Sequence, residues 1–441
     1  MSAPFPWEPF PPDEPGPKGP DPIHATAFRA AVTAADAFRS VRLALRRDAG
    51  TLRIGNRFVA DGRYREVAFV SAGRAANAMA LAALATFGDR LTQGFIAGSD
   101  AVDPHLPFRG ATVSVGPPGA AESEGIVRAA IEIAEGLTEQ DLLLVLLSAG
   151  SLRALARPPP GLTDLEFARF LTDAQGRGAT GREVDQLARV LGTGAVGGRL
   201  ASAVRRADAA TLVVERGDGP SPIGGGPMRP VAPSERAAAR ATLDRIGGTD
   251  ALPGSALEAL RPGADTSPLP SGAVHRPIVV AAPADALRAS ADAVFDKGWT
   301  SRLAFLEIRD SPRAAAEAFV ARSEELVAAE GLTRASRTKG VATFAMTTLG
   351  LPEGNDEGPA LAEFLTVAHD LRRRREMSVG LFRTAGVVGS DRYPAGAVVG
   401  AAAHPDGAPP HGPARSITMA GGITDVGLLA VALCAPPADP S

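Results

Sequence analysis

Residues 65–87 read REVAFVSAGRAANAMALAALATF. Val67–Val70 is a short apolar run that reads as a strand, Ser71-Ala72-Gly73 as a tight turn, and the small, apolar stretch after it as a helix. Strand, turn and helix in that order open a βαβ unit. The same grammar recurs downstream. Phe95–Ala97 and Ala111–Val115 are candidate strands, and Glu122–Leu137 a candidate helix. Asp141–Leu147 is strongly apolar, which suits a strand in the middle of a parallel sheet, and it ends at Ser148-Ala149-Gly150-Ser151. Helices are predicted near Asp164–Gln175 and Gly181–Leu191, and the strand Thr211–Val214 runs into a glycine-rich loop. Alternating strands and helices predict a doubly wound, Rossmann-like α/β domain with helices on both faces. Upstream, Phe28, Val32, Ala35, Phe38 and Val41 fall at helical spacing in a helix from about His24 to Arg47.

A second, smaller α/β segment follows. Glu235–Ile246 is helical, and residues 247–274 are rich in Gly, Pro, Ser and Ala, the composition of an exposed linker. Ile278–Ala281, Ser301–Ile308, Val341–Thr348 and Ser378–Phe382 are its candidate strands; Ser311–Glu330 and Pro359–Arg375 are its candidate helices. The expected layout is a Pro-rich tail over 1–22, a larger domain over 23–246, the linker, a smaller domain over 275–435 and a short tail over 436–441. No fixed-period repeat is visible, which argues against a solenoid.

Composition excludes several function classes. The 441 residues carry a formal net charge of −3, which leaves no basic footprint for nucleic acid. No apolar run approaches the ~20 residues that span a bilayer. The start of the chain lacks the basic and apolar regions of a signal peptide, so the cytoplasm is the expected location. The single cysteine, Cys434, excludes an internal disulfide and reads as a buried small hydrophobe. The six histidines, His24, His105, His275, His369, His404 and His411, have no metal-ligand spacing. Arg372–Arg375 reads as a solvated helix end suited to the helix dipole. No Gly-x-Ser-x-Gly element supports hydrolase chemistry.

Three loops stand where an open parallel sheet binds ligands, outside the carboxyl ends of its strands: Ser71–Arg74, Ser148–Ser151 and Gly217–Pro227. Glycines there let backbone N–H groups approach a phosphate. Gly73, Ser148, Gly150, Ser151, Gly217, Gly225 and Gly226 are the candidate phosphate-binding residues. Arg74, on the first turn of its helix, can meet an anionic ligand, and Asp218 can hold Mg²⁺ as a hard oxygen ligand. Each such loop also reads as a plain tight turn, and neither the P-loop pattern nor a complete dinucleotide fingerprint occurs.

The order of these motifs resembles the glycerate 2-kinase family with a MOFRL C-terminal domain. Gly73-Arg74-Ala75-Ala76-Asn77-Ala78-Met79-Ala80 is similar to that family's GKAA-x-AMA segment. Ser148-Ala149-Gly150-Ser151-Leu152-Arg153-Ala154-Leu155 is similar to its SGGGSALL. Gly178-Ala179-Thr180 with Glu183, Val184, Asp185 and Arg189, then Gly197–Ala201, follow its GATIHEINTVRKHLS and KGGRLA. Gly217–Met228 follows its GDDPSVIASGPT. Asn355, within Gly354–Glu357, Asp391, after Gly389-Ser390, and Gly421–Val426 stand at reduced C-terminal elements. The resemblance spans roughly residues 26–435. It implies a smaller MOFRL-like α/β domain, ATP and Mg²⁺ as cofactors, and phosphoryl transfer to glycerate or a related small hydroxy acid. In that reading Arg74 and Asp218 are the catalytic residues, Asp218 serves the metal, Arg189 holds the acid's carboxylate, and Asn355 and Asp391 complete the site. Nucleic acid and membranes are not expected partners, and homo-oligomerisation stays open.

The departures fall where chemistry is done. Arg74 replaces a lysine, and a planar guanidinium is not interchangeable with a compact ammonium. Leu187-Ala188-Arg189-Val190 replaces a cation-rich run, Val388 an aspartate, and Glu215 stands near a displaced carboxylate. Phosphoryl transfer depends on positioning and charge stabilisation, and one lost donor typically costs ~10²–10³ in rate. Activity then requires that Arg74, Arg153, Arg189 and Arg216 re-form the positive site. Arg153 replaces a small residue and either supplies charge or, the preferred expectation, obstructs the phosphate pocket. A catalytically inactive homologue that binds a ligand or a partner protein is the alternative.

Overall fold

The computed structural model describes residues 22–98, 112–115, 122–204, 206–215, 226–261, 277–332, 338–349, 357–372, 377–385, 396–400, 415–417 and 423–435. Helices α1 (Pro22–Ala35) and α2 (Ala37–Ala44) lead into a three-stranded antiparallel meander, β1 (Leu45–Asp48), β2 (Thr51–Ile54) and β3 (Arg57–Ala60). The single helix expected from His24 to Arg47 is therefore divided. Asp36 takes an extended backbone and caps α2 by accepting from the Arg39 N–H at 2.6 Å.

The first large sheet contains β4 (Glu66–Ala72), β5 (Leu91–Gly98), β6 (Thr112–Val115), β7 (Asp141–Leu147), β10 (Asp208–Val214) and β11 (Ile278–Ala281), while β8 (Ala156–Arg157) and β9 (Thr193–Gly194) form a separate two-stranded antiparallel ribbon. Its order is β11-β10-β7-β4-β5-β6 and every pairing is parallel. Five leucines and a valine of β7 are fully buried, each worth about 1.5–3 kcal/mol. Such burial requires a helix layer on both faces. On one face lie α4 (Glu122–Gly136), α5 (Ser151–Leu155) and α8 (Arg199–Ala203). On the other lie α1, α2, α3 (Ala76–Phe87) and α11 (Pro283–Phe295). Within β5, Gly94 leaves room for the Phe69 ring opposite it: a Cβ there would fall 1.8 Å from that ring.

The second sheet has the order β12-β13-β17-β14-β15-β16, from β12 (Thr300–Asp310), β13 (Val341–Leu349), β14 (Met377–Ala385), β15 (Gly396–Gly400), β16 (Arg415–Ile417) and β17 (Ile423–Cys434). Only β12 and β13 pair in parallel. Helices α12 (Pro312–Ala329) and α13 (Glu357–Leu371) cover its outer face. Its inner face packs on the same helix layer that covers the first sheet, so Leu144, Phe28, Phe344 and Val431 share one core. The ring of Phe28 stacks on Phe382 at 5.3 Å. Among the described residues no helix is long and apolar enough to cross a membrane.

Two boundaries differ from expectation. Ile278–Ala281, predicted for the second unit, pairs with β10 and closes the edge of the first sheet. Residues 247–261 are packed structure and not exposed linker: Leu252, Ala256 and Leu260 are buried, and the Ala259 carbonyl accepts from Arg236 Nε at 3.0 Å. They belong to a helical subdomain of α6 (Asp164–Gly176), α7 (Gly181–Leu191), α9 (Pro233–Ile246) and α10 (Gly254–Glu258), with Phe167, Leu187 and Leu243 in its core. The remainder of the expected linker, both expected tails apart from Pro22, and the residues Gly217, Asp218, Gly225, Asn355 and Asp391 lie outside the described residues.

Arg189 on α7 fastens this subdomain. Its side chain is wholly buried. It ion-pairs with Glu235 of α9 and donates to the carbonyls of Gly226 (3.4 Å), Arg229 (2.9 Å) and Pro230 (3.0 Å). Burial works against ionisation of Glu235, but the Arg189 guanidinium holds its carboxyl below the usual range. Replacement of Arg189 by Leu removes the buried partner of the partly buried Glu235 carboxylate, which keeps only the Ala232 N–H and Arg229, and leaves three carbonyls without it. Urea unfolding is expected to show a loss of about 3–5 kcal/mol.

His24 on α1 is also fully buried, with Nε2 3.0 Å from Ser378 Oγ on β14. Burial pushes its pKa down to about 3. The unfolded chain binds this proton near pH 6.5, so His24 costs nothing above that pH and opposes folding progressively between about pH 6.5 and 3. At pH 5 the penalty is about 2 kcal/mol. A His24→Gln variant should therefore lose less stability than the parent between pH 7 and 5 in urea titrations; equal losses would contradict this account.

Candidate functional site

The ends of β4, β7 and β10 lie side by side, with Ala72 opposite Leu147 and Leu147 opposite Val213. The turns that follow them are in direct contact. Gly73 has φ +104°, and a Cβ on it would fall 2.5 Å from Ser148 Oγ and 2.6 and 2.7 Å from the carbonyl oxygens of Ser148 and Ala149. Only glycine permits both this conformation and this approach.

The bonding of the first turn is closed. The N–H groups of Gly73 and Arg74 donate to the carbonyls of Ala97 (2.8 Å) and Ala149 (3.0 Å), and that of Ala76 to the Gly73 carbonyl (3.1 Å). The Ala75 N–H donates to Ser148 Oγ at 2.9 Å, and the Ser148 N–H to the Ala72 carbonyl at 3.0 Å. Two expected phosphate ligands are thereby corrected. Gly73 and Ser148 clasp the two turns together, and their polar groups are used within the protein. Arg74 precedes α3 instead of lying in its first turn, and its side chain is partly exposed.

The second turn is open. Gly150 takes the left-handed conformation, φ +83°. Among the described residues no carbonyl accepts the N–H of Ala149 or Gly150. Ser151 is fully buried and its Oγ has no hydrogen-bond partner among them. Buried polar groups are normally paired, so the buried Ser151 hydroxyl, next to two N–H groups that no described carbonyl accepts, makes this turn at the ligand-binding edge of a parallel sheet the candidate place for an acceptor. Gly150 and Ser151 are the predicted site residues that the structure brings together in this way.

Arg153 flanks this turn. Its Nε lies 3.2 Å from Asp185 Oδ1 on α7, in a pair whose side chains are 17% and 10% exposed. One terminal guanidinium nitrogen lies 3.7 Å from the point a Cβ on Gly150 would occupy. The expected obstruction is thus redirected: the side chain is drawn sideways to α7 and stays beside Gly150. Asp185 lies four residues before Arg189, one helical turn away on the same side of α7. That spacing was the available sign that both point inward.

Arg189 itself is corrected. Its guanidinium is sealed among Glu235 and three carbonyls, so it does not offer itself to a substrate carboxylate. Gly226, expected to bind phosphate, presents its carbonyl to Arg189. Glu215 follows β10 on the same sheet edge and is 6% exposed, with its N–H on the Ala281 carbonyl at 2.8 Å. Among the described residues no group of three His, Cys, Asp or Glu side chains could hold a metal ion. Mg²⁺ is commonly held by one or two carboxylates together with substrate phosphates, and Glu215 is of the right type to supply one.

Comparison with known proteins agrees with this architecture. The family described as "Domain of unknown function (DUF4147)" matches residues 24–261, more than half of the chain. A glycerate kinase of Bos taurus is 33% identical over a stretch covering 42% of this chain and 38% of the bovine protein, so the chain aligns with well under half of that relative's length. Two crystal structures share the fold across 94% of this chain. The PH0495 protein of Pyrococcus horikoshii superposes with a TM-score of 0.69 at 17% identity over 98% of its length. Glycerate kinase of Thermotoga maritima superposes with a TM-score of 0.67 at 18% identity over 99% of its length. At such identities these structures speak for the fold alone, while the family match over residues 24–261 establishes descent, and the chain belongs to the DUF4147 family.

Proposed function

We propose that the chain is a phosphotransferase that moves the terminal phosphoryl group of ATP, with Mg²⁺, to a hydroxyl of glycerate or a related small hydroxy acid. Its partners are then the nucleotide and that acid, and the cytoplasm is the compartment that suits them. The second sheet and its helices correspond in this reading to the family's MOFRL-type part. The observation that carries it is the open turn Ala149-Gly150-Ser151, with unsatisfied donors at the carboxyl edge of an all-parallel sheet. Family membership and the likeness to a glycerate kinase supply the reaction class.

The chain's own residues divide the work by chemistry. The N–H groups of Ala149 and Gly150 and the Ser151 hydroxyl can donate to phosphate oxygens as charge spreads over them. Arg74 brings a cation to the rim. Glu215, and Asp218 outside the described residues, supply hard oxygen ligands of the type Mg²⁺ takes. Bound Mg²⁺ would neutralise phosphate charge during transfer. The Gly73–Ser148 clasp keeps the turn in place, and the helical subdomain carries Asp185 to it.

One observation favours a second reading, an inactive homologue that binds a ligand or partner protein. Arg189, the cation expected to clamp the acid, is fully engaged within the protein.

Purified protein assayed for ADP release with ATP, Mg²⁺ and glycerate or other small hydroxy acids separates the two. Turnover that falls ~10²–10³-fold in Arg74→Ala, with an unchanged melting profile, is the expected result. Absence of turnover together with absence of nucleotide binding would sink the phosphotransferase reading. In the same series Ser151→Ala is expected to weaken ATP binding without destabilising the fold, because its hydroxyl has no partner to lose among the described residues. Gly73→Ala is expected to destabilise the fold outright, since the new methyl meets backbone oxygens.

A further inference from the structure

Ala149, Gly150 and Ser151 supply neutral donors, and a phosphoryl group carries formal charge. A cation beside them is Arg153, two residues further along α5. Its guanidinium is not loose. Asp185 holds Nε at 3.2 Å, and the pair is four-fifths buried or more on both sides. Asp185 is in turn anchored. It lies one turn from Arg189, which ties α7 to α9 and to the 226–230 segment. Glu183 at the start of α7 meets Arg245 of α9 at 2.7 Å. The carboxylate that orients Arg153 therefore belongs to a helix fastened at both ends.

A guanidinium presents its donors in a planar fork. With Nε directed at Asp185, one terminal nitrogen remains beside Gly150, 3.7 Å from where a Cβ there would sit. A Cβ at residue 150 would only touch that nitrogen; it is the left-handed backbone, φ +83°, that calls for glycine here. The guanidinium therefore stands beside the turn whose Ala149 and Gly150 N–H groups no described carbonyl accepts, and the buried Ser151 hydroxyl follows them in sequence.

We infer that Arg153, oriented by Asp185, is the charged element of a phosphoryl-oxyanion site built on the 149–151 turn. This deepens the phosphotransferase reading above and rests on it for the identity of the nucleotide. Arg153 touches the anion, and Asp185 is a positioning residue that acts through Arg153. The arginine that the sequence gains at 153 then offsets the loss of Arg189 from the site, since Arg189 is committed to the subdomain.

The test is equilibrium titration of the intact protein with sodium tripolyphosphate and separately with ATP–Mg²⁺, each at two salt concentrations. The variants are Arg153→Gln, Arg153→Lys and Asp185→Asn, plus the Arg153→Gln/Asp185→Asn pair, with thermal melts to verify folding. Arg153→Gln is expected to weaken tripolyphosphate at least tenfold and to flatten the salt dependence. Arg153→Lys should recover part of the loss, because it keeps the charge without the fork. Asp185→Asn should weaken binding by a smaller factor, and the double variant should bind no worse than Arg153→Gln alone, the signature of one residue acting through the other. If Asp185→Asn lowers only the melting temperature, the positioning role is overturned. Unchanged or tighter binding in Arg153→Gln overturns the inference and makes Arg153 an obstruction. Tripolyphosphate binding that depends on Arg153, without ATP binding or turnover, upholds the inference and removes the phosphotransferase reading. Turnover that survives Arg153→Gln unchanged does the reverse, and a parent protein that binds neither anion overturns both.

Discussion

Burial of β7 on both faces is the constraint on which the molecule is built. A strand whose six apolar residues are all removed from water cannot face solvent on either side. One face is met by α4, α5 and α8, the other by α1, α2, α3 and α11. The second of these layers has two apolar surfaces of its own, and it meets the inner face of the mixed sheet with the one turned away from β7. Two sheets thus share a single helix layer. The carboxyl ends of β4 and β7 emerge from this frame close enough for their turns to clasp through Gly73 and Ser148.

Periodicity made the first sheet legible. Leu142–Leu147 announces a strand buried on both sides, and the turns at Gly73 and Gly150 fall where sequence reading puts them. Sequence periodicity describes an element's own faces; it does not say what covers them. Helix α1 shows an amphipathic pattern in either half of the molecule, yet its His24 meets Ser378, 354 residues away. For the same reason Ile278–Ala281 reads as the start of a second unit and pairs with the first. Residues 247–261 fail in another way. Their Gly, Pro and Ala content is that of a linker, but three spaced apolar side chains, Leu252, Ala256 and Leu260, are enough to pin them to the helical subdomain.

At the site, sequence reading found the glycines and misjudged the partners. A glycine in a turn after a parallel strand serves either a ligand or a neighbouring backbone, and sequence does not distinguish them. Gly73 serves the neighbour and Gly150 leaves its turn open. The arginines divide in the same manner. A cation on a helix reads alike whether it meets substrate or carbonyl oxygens. Only the count of acceptors around Arg189 reveals that its fork is already filled.

The shared helix layer also bears on how such a molecule can move. The two sheets cannot part without exposing the stacked Phe28 and Phe382 and the packed faces of α1 and α11, so relative motion of the sheets is opposed by the largest core in the structure. The helical subdomain has its own separate core and meets the ligand-binding edge through the Arg153–Asp185 pair, the two-residue pairing of Ala156–Arg157 with Thr193–Gly194, and Ala156, which packs on both cores. These contacts bury far less apolar surface than the core between the sheets, and apolar burial is the larger stabilising term. The compliant boundary of the protein is therefore the one beside the 149–151 turn, and the rigid one lies between the sheets. A ligand's charge at that turn would act on the ion pair that spans the compliant boundary, which couples what binds there to the position of α7.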